Sequence, residues 1–388
     1  MNIELGARIG RKLTFNQNTP DEYKTYLPGY LPPKPLHLEK LLPLIEATSQ
    51  SLGVMDGLCQ ILPNKDLFLF MYVRKEALLS SQIEGTQSSL SELVLYDQKK
   101  GDFSQDTQDV SNYVKASFIG IRTIIDQEMP ITLNLIRELH RLIIGNHKGR
   151  NKNSGNFRTN QNWVGGTKIA NAIYVPPPAN LVKDYLSDLE KFINLSNASL
   201  PALLTAGIAH HQFETIHPFL DGNGRLGRLL ISLILCKKKI ISEPIIYPSL
   251  YFKLNRKQYY ELLQSVRDKG NWEDWLEFFL NGINYSAKAA NETAKKIIAQ
   301  IQLDSNKISH CGRKLMHISK VYDYFKENPI SDLSTISQKL SLSIPTVTNN
   351  VKLLQKLEII YEISGHKRGQ VFSYRNYLNI LETDIETN

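Results

Sequence analysis

The chain has 388 residues, of which 42% are hydrophobic and 22% charged, a balance that excludes a wholly disordered protein. Its 46 basic and 38 acidic side chains leave a net charge of +8, which suits either polyanionic partners or simply a lysine-rich surface. The three cysteines are too few and too widely spaced for a disulfide framework or a metal-ligand pair. We see neither a signal peptide nor a membrane-spanning run, and therefore expect a cytoplasmic protein with no membrane partner.

Residues 1–36 are rich in proline and tyrosine, which predicts an extended arm packed on the body of the protein. From Leu38 onward the apolar residues recur with helical spacing. A helix is expected over Leu67–Ile83, ended by Gly85, and Ser89 to Glu92 resemble a capping box that starts another helix. Further helices are predicted at 107–127, 131–145, 179–195, 200–215, 225–240 and, as a pair, within 257–300.

The remainder of the chain adds a small β element and a second domain. Residues 155–178 have the pattern of a hairpin flap around Gly165–Gly166. Polar residues at Leu303–Lys307 predict a linker, followed by three short helices and a basic β-ribbon. The predicted fold is mainly α, with a helical catalytic domain, a small β-hairpin flap and a C-terminal winged-helix domain. We expect the divisions at 1–110, 111–302 and 303–388.

Residues 217–228 hold groups suited to phosphate chemistry. Gly222, Asn223 and Gly224 lie between two helices, and a glycine turn that opens a helix is an anion site because its N–H groups are unpaired. Asp221 is a hard oxygen ligand suited to Mg²⁺. Arg225 and Arg228 can face one ligand, since they are one helical turn apart, and can neutralise phosphate. His217 suits a general base, and Phe219 is expected to turn inward.

The stretch from His217 to Arg228 resembles the signature of Fic-domain proteins, His-Pro-Phe-x-Asp-Gly-Asn-Gly-Arg-x-x-Arg, and the likeness extends over most of residues 20–300. Members of this family transfer AMP from ATP to a Ser, Thr or Tyr hydroxyl of a protein. The resemblance implies His217 as the base, Asp221 as the Mg²⁺ ligand and ATP as the substrate. It implies an ATP-binding run of Gly222, Asn223, Gly224, Arg225, Leu226, Gly227 and Arg228.

Three further segments resemble parts of the family. Ser80, Glu84 and Gly85 match its inhibitory motif and imply that Glu84 restrains the enzyme, as in the class with an internal N-terminal inhibitory helix. The flap, with Trp163, Val164, Gly165 and Gly166, implies a docking strand for the target protein; a purely structural hairpin is the alternative. Tyr259 and Tyr260 resemble aromatics near the adenine, and Tyr260 is predicted to bind ATP. A core role is the alternative for both tyrosines.

The C-terminal helix expected at Ile344–Leu357 carries polar residues that suit phosphates and base edges, with His366–Arg368 at the wing tip. A duplex DNA partner is therefore predicted, and a protein-interaction or dimerisation role is the alternative. The predicted function is protein adenylylation, including self-modification. The sequence leaves open whether the protein forms a homodimer. Transfer of phosphate or another nucleotide by the same loop is one alternative. An ATP-sensing transcriptional regulator is another, although sensing needs no base such as His217.

Overall fold

A computed structural model describes residues 5–89, 93, 104–145, 153–195, 200–310, 315–365 and 369–382. It is mainly helical, as expected. The helices are α1 Leu42–Gln60, α2 Lys65–Ile83, α3 Gln105–Ile121, α4 Leu133–Ile144, α5 Val182–Asn194, α6 Ala202–Ile216, α7 Asn223–Lys237, α8 Ser249–Leu254, α9 Arg256–Lys269, α10 Trp272–Ser309, α11 Leu315–Glu327, α12 Leu333–Leu340, α13 Ile344–Lys356 and α14 Arg375–Glu382. The capping box expected at Ser89–Glu92 extends beyond the described residues.

The chain divides into two compact units, one of Met1–Gly53 and Tyr72–Ala287, the other of Val54–Met71 and Lys288–Asn388. The first unit begins with four short strands, in agreement with the extended arm: β1 Leu5–Ala7, β2 Arg11–Phe15, β3 Tyr23–Leu27 and β4 Tyr30–Lys34. β1 pairs in parallel with β4, and β2 is antiparallel to β3. The arm is fixed to the body, because Tyr26 N donates to Val175 O at 3.0 Å and Leu31 N to Asp188 Oδ2 at 2.8 Å.

The core of this unit is built around α6 and α7. Every residue from Leu203 to Ile216 is buried, the polar ones as well as the small and apolar ones. In α7 only Gly224 and Lys237 are not fully buried. Two largely buried helices therefore flank residues 217–222.

The flap is less regular than the expected hairpin. One antiparallel bridge joins Val164 to Tyr174, and a 3₁₀ turn occupies Ile169–Asn171. The Asn171 side chain accepts from the N–H groups of Thr167 and Lys168. These local bonds replace the ladder of a longer hairpin, and the prolines at 176–178 have no N–H to extend it.

In the second unit, α11 is followed by β5 Ile330–Asp332, α12, α13, β6 Tyr361–Glu362, β7 Val371–Ser373 and α14. The three strands form an antiparallel sheet in the order β5–β7–β6. The predicted N-cap is confirmed: Ser343 accepts from Thr346 N, and Pro345 lies in the first turn of α13. The expected wing tip, His366–Arg368, lies outside the described residues.

The linker expected at Leu303–Lys307 is wrong, because α10 continues to Ser309. Asp304, whose polarity favoured a linker, is fully buried and accepts from Tyr374 Oη at 2.6 Å and Gln300 Nε2 at 2.9 Å. In the sequence, a polar residue that hydrogen-bonds buried groups cannot be distinguished from one that faces solvent. None of the described helices combines the length and the apolarity that a bilayer-crossing segment requires.

Candidate nucleotide-binding active site

His217 ends α6 in the left-handed conformation, with φ 48° and ψ 62°. Such a conformation is uncommon for a residue with a side chain, and it turns the chain sharply out of the helix. The buried side chain of Arg158 hydrogen-bonds this turn. It donates from Nε to His217 O at 2.9 Å and from Nη2 to Pro177 O at 2.5 Å and Ile216 O at 3.3 Å. One guanidinium thus joins the flap segment to the turn that presents the imidazole.

The imidazole of His217 is neutral at physiological pH. Burial, followed by the positive charges of Arg267 and Arg158, lowers its pKa to about 4. A ring nitrogen also hydrogen-bonds the backbone of Glu214. That bond fixes the ring and the tautomer, and the second ring nitrogen can then accept a proton.

The loop after His217 is anchored by its aromatic residue. Phe219 is fully buried, as predicted, and stacks on His140 with ring centroids 3.7 Å apart. Nδ1 of His140 accepts from Gly155 N at 2.9 Å, so Nε2 carries the proton and donates to Asp221 O, also at 2.9 Å. Burial lowers the pKa of His140 to about 4, which keeps this ring neutral. The backbone of Asp221 is therefore held by a residue 81 positions earlier.

The start of α7 has the geometry of an anion hole. Gly222 is the N-cap with φ 74°, and a Cβ there would lie 2.9 Å from Ile144 Cδ1. Leu226 N donates to Gly222 O at 3.0 Å, so the first intrahelical bond begins at Leu226 and the N–H groups of the preceding turn have no helical acceptor. The amide of Asn223 is already used within the loop, bonded to both the N–H and the carbonyl of Phe219. Only its backbone is available to a phosphate.

Glu84, the predicted inhibitory residue, lies against the first turn of α7. Glu84 Oε1 lies 2.8 Å from Arg228 Nη2, and a Cβ at Gly224 would be 2.2 Å from the same oxygen. Arg228 is also bonded to Ser80, through Oγ at 2.8 Å and the carbonyl at 2.8 Å. Burial is the largest single influence on Arg228 and lowers its pKa, but Glu84, Glu214 and nearby tyrosines together raise the pKa of the guanidinium above its ordinary value. Gly85, with φ 97°, ends this segment.

The other arginine, Arg225, lies between two carboxylates. Its Nη1 is 3.7 Å from Asp109 Oδ2 and its Nη2 is 3.9 Å from Asp221 Oδ1. Both Arg225 and Asp109 are about 95% buried, whereas the Asp221 side chain is 30% exposed. Asp109 was not predicted from the sequence, and its burial in α3 shows that a distant helix orients Arg225.

Asp221 fits a magnesium ion that arrives with phosphates. Among the described residues, no group of three or more His, Cys, Asp or Glu side chains is placed to hold a metal by itself. Mg²⁺ commonly takes one or two carboxylates and completes its shell with substrate phosphates and water. The single half-exposed carboxylate of Asp221, next to the anion hole, has that character.

The remaining predicted residues are placed as follows. Leu226 is buried in the core, and Gly227 O hydrogen-bonds His210 Nδ1 at 2.9 Å. Tyr259 is buried with its hydroxyl on His210 Nε2, which agrees with the core role, while Tyr260 is 41% exposed. In the flap, Trp163 is 42% exposed, and positive φ angles distinguish Gly165 and Gly166.

Sequence reasoning missed the supporting roles of the polar residues around the loop, which are the partly exposed Asn162 and the buried Asp109, His140, Arg158, His210, Glu214 and Arg267. Glu214 illustrates why. It precedes His217 by one turn of α6, and burial raises the pKa of its carboxyl to about 7. A Cβ at Gly227 would lie 2.4 Å from Glu214 Oε1, so that glycine makes room for the carboxyl. The available signal was a run of polar residues inside an otherwise apolar helix.

Comparison with known proteins places this geometry in a family. Residues 42–122 match the Fic/DOC family N-terminal region, and residues 130–235 match the Fic/DOC family itself. The chain is 32% identical over 167 residues to the Protein adenylyltransferase Fic of Drosophila ananassae. The aligned region covers 43% of this chain and 29% of that protein. The corresponding protein of Drosophila virilis gives the same identity, with 30% of its length covered. The chain thus spans less than a third of these relatives.

Two solved structures share the fold. A Fic family protein from Desulfovibrio desulfuricans is 21% identical and superimposes with a TM-score of 0.59, covering 89% of this chain and 98% of that one. A Fic domain containing signaling protein from Bacteroides thetaiotaomicron is also 21% identical, with a TM-score of 0.52 and coverages of 64% and 98%. The fold and the loop define a Fic-type protein. Residues 130–235 match the Fic/DOC family domain, and residues 42–122 match the N-terminal region that belongs to the same family.

Proposed function

We propose that the protein is an adenylyltransferase that moves AMP from ATP to a Ser, Thr or Tyr hydroxyl of a protein, its own hydroxyls included. The observation that carries the proposal is the neutral imidazole of His217 beside the open N-terminus of α7. The name of the Drosophila relatives, Protein adenylyltransferase Fic, supports it. Their matched region includes less than a third of their length, so the substrate protein is part of the proposal.

In the proposed reaction the acceptor oxygen attacks the α-phosphorus of ATP, the hydroxyl proton passes to His217, and pyrophosphate leaves. The backbone N–H groups at the start of α7 hold phosphate oxygens, and Arg225 and Arg228 neutralise their charge. Asp221 would hold Mg²⁺, which supplies further neutralisation of the phosphates when bound. Most of the rate enhancement comes from positioning, because little covalent chemistry is required of the protein.

We further propose that Glu84 keeps the enzyme inactive. Its carboxylate occupies the space above Gly224 and takes up a donor nitrogen of Arg228. A carboxylate and a phosphate oxygen compete for the same donors, so ATP bound beside Glu84 would have its phosphates displaced. The pair is suited to reversible inhibition because Glu84 is 39% exposed while Arg228 is 1% exposed. One partner can leave into solvent without unfolding the site.

The experiment that tests the reaction uses ATP labelled at either the α- or the γ-phosphate, with Mg²⁺ and the Glu84→Gly variant. Label from the α-phosphate and a mass gain of one AMP are expected on protein. Label from the γ-phosphate would instead indicate phosphorylation. ATP binding without any transfer would favour the ATP-sensing regulator. The control is His217→Ala, which should bind ATP normally and lose at least ~10²-fold in rate.

We propose that the C-terminal residues form a winged-helix domain that contacts duplex DNA, within the division 1–110, 111–302 and 303–388 suggested by the sequence. The supporting observation is a cavity of about 450 Å³ along α13, lined by Thr346, Asn349 and Lys352 among others. Amide, hydroxyl and ammonium groups on one helix suit phosphate and base contacts. A protein-interaction or dimerisation surface is the alternative. The cytoplasmic location, the homodimer and the self-modification remain predictions.

A further inference from the structure

A separate cavity of about 330 Å³ lies beside the flap, inside the first compact unit. Strands β2 and β3, the flap residues after Ile169, and α9 enclose it. We call it the flap cavity and define it by six of its lining residues: Lys12, Lys24, Tyr26, Tyr174, Gln264 and Arg267. None of these residues belongs to the loop 217–228, so the flap cavity is not the nucleotide site.

Arg267, which lines the flap cavity, is a buried cation whose hydrogen-bond and ring contacts are neutral, although the carboxylates of Glu214 and Asp268 lie close enough to interact with its charge. It is 7% exposed, and its guanidinium lies 3.8 Å above the centre of the Tyr174 ring. Nε donates to Thr215 Oγ1 at 3.2 Å and Nη1 to Gln264 Oε1 at 3.2 Å. Within the described part of the chain, no carboxylate oxygen lies within 4 Å of it. Buried charges are normally paired, because moving an ion out of water costs roughly several kcal/mol of free energy, which an opposite charge must offset.

The groups at the flap cavity carry one more positive than negative charge, with Lys12, Lys24 and Arg267 against Glu22 and Asp268. Lys24 is exposed, and Lys12 is 54% exposed and paired with Asp268 at 2.8 Å. Glu22 is the one acidic residue in the lining. Because Asp268 and Glu22 offset the two lysines, the buried charge of Arg267 gives the cavity its net positive character, which attracts an anion and not a second cation.

The flap cavity is also close to the chemistry. Thr215, which holds Arg267, precedes His217 by two residues, and the Tyr174 hydroxyl donates to Thr215 O at 2.5 Å. Tyr174 forms the antiparallel bridge of the flap with Val164. A segment lying along the flap would therefore pass the flap cavity, whose residue Arg267 is bonded to Thr215, two positions before His217.

We propose that the flap cavity binds a carboxylate side chain, Asp or Glu, of the substrate protein, close in sequence to the acceptor hydroxyl. The proposal rests on the proposed function, since it assumes that a protein segment lies along the flap. A guanidinium that lines a cavity suits a carboxylate, because its planar fork matches the two oxygens.

Binding of the carboxylate has a consequence for the base. The charge of Arg267 is the largest electrostatic contribution that lowers the pKa of His217. A carboxylate on Arg267 offsets that charge and raises the pKa of the imidazole, making it a stronger base when a substrate is docked. Substrate recognition and proton transfer would thus be coupled through Arg267.

The test measures binding of two fluorescent nine-residue peptides to the full chain by anisotropy, without ATP. Each has one Thr, and the second has Gln at every Glu position of the first. We expect the Glu peptide to bind about tenfold more tightly, as for one charge-assisted contact. Arg267→Gln should abolish this preference. Arg267→Gln alters a buried residue, so Lys24→Gln, at an exposed lysine, serves as a second test variant. It should reduce the preference for the Glu peptide about threefold.

Lys115→Gln, an exposed lysine on α3 away from the flap cavity, is the matched control for the overall positive charge. It should leave the preference unchanged. Equal binding of the two peptides, or equal losses from Lys24→Gln and Lys115→Gln, would overturn the proposal. The binding assay measures no transfer, so its result does not depend on whether the protein transfers AMP. If the protein transfers AMP but binds the two peptides equally, the carboxylate site is refuted and the proposed function is not.

Discussion

The carboxylate of Glu84 lies so close to Gly224 that a Cβ atom on that glycine would be 2.2 Å from Glu84 Oε1. Gly224 is in the first turn of α7, where backbone N–H groups have no helical acceptor. The carboxylate therefore occupies the place where the helix N-terminus favours a phosphate. The proposed inhibition is a competition between this carboxylate and a phosphate for one position.

The transfer rate of Glu84→Gly should be nearly independent of pH from 8 down to about 5.5. The reason is that burial and two arginines lower the pKa of His217 to about 4, so the neutral base persists well below the ordinary value of ~6.5. As the pH falls towards 4, protonation of the imidazole should remove activity. The measurement is the initial rate of label transfer across this range, with far-UV circular dichroism as a control for folding. A midpoint near pH 6.5 would show that the imidazole is not shifted.

Arg158→Gln should lower the free energy of unfolding by at least ~2 kcal/mol. The buried guanidinium serves the carbonyls of Ile216, His217 and Pro177, and its loss leaves buried acceptors without donors. Arg137→Gln is the matched control, because Arg137 also contacts the flap segment, at Gly155 O, but is exposed. Urea unfolding should show a clearly smaller shift for Arg137→Gln. Equal shifts would mean that Arg158 does not support the loop.

The sequence predicted the parts of the site that are consecutive in the chain. The glycine turn, the base and the arginines lie within twelve residues, and one loop followed by one helix brings them together. The inward position of Phe219 and the cap at Ser343 followed from local rules and are confirmed. Local patterns suffice where the contact is within one or two turns of the backbone.

The supporting contacts could not be predicted, because they join residues far apart in the chain. His140 holds Asp221 from 81 positions away, and Arg158 holds His217 from 59 positions away. A single sequence does not distinguish a buried polar residue from an exposed one. The same limit explains the wrong linker at Leu303–Lys307, where Asp304 is buried on Tyr374.

The full chain should bind duplex DNA weakly, and Lys352→Gln should reduce the slope of log affinity against log salt by about one unit. Lys352 lines the cavity along α13 and would contact a phosphate. Lys183→Gln, an exposed lysine on α5, is the control and should leave the slope unchanged. Titrations at several salt concentrations between 50 and 200 mM, roughly the range in which such contacts weaken, provide the measurement. Absence of binding at the lowest salt would favour the protein-interaction alternative.

The most direct test of the account compares AMP transfer from α-labelled ATP by the wild type, Glu84→Gly and the double variant Glu84→Gly/His217→Ala. Removing the carboxylate leaves Arg228 bonded, among the described residues, only to Ser80 and opens the space above Gly224, so the phosphates can settle on the start of α7. Glu84→Gly should be faster than the wild type by at least about tenfold, equivalent to ~1.4 kcal/mol of barrier. The double variant should lose this gain, because the base is absent. If Glu84→Gly is no faster than the wild type, the contact between Glu84 and the anion hole is structural and the inhibitory account is wrong.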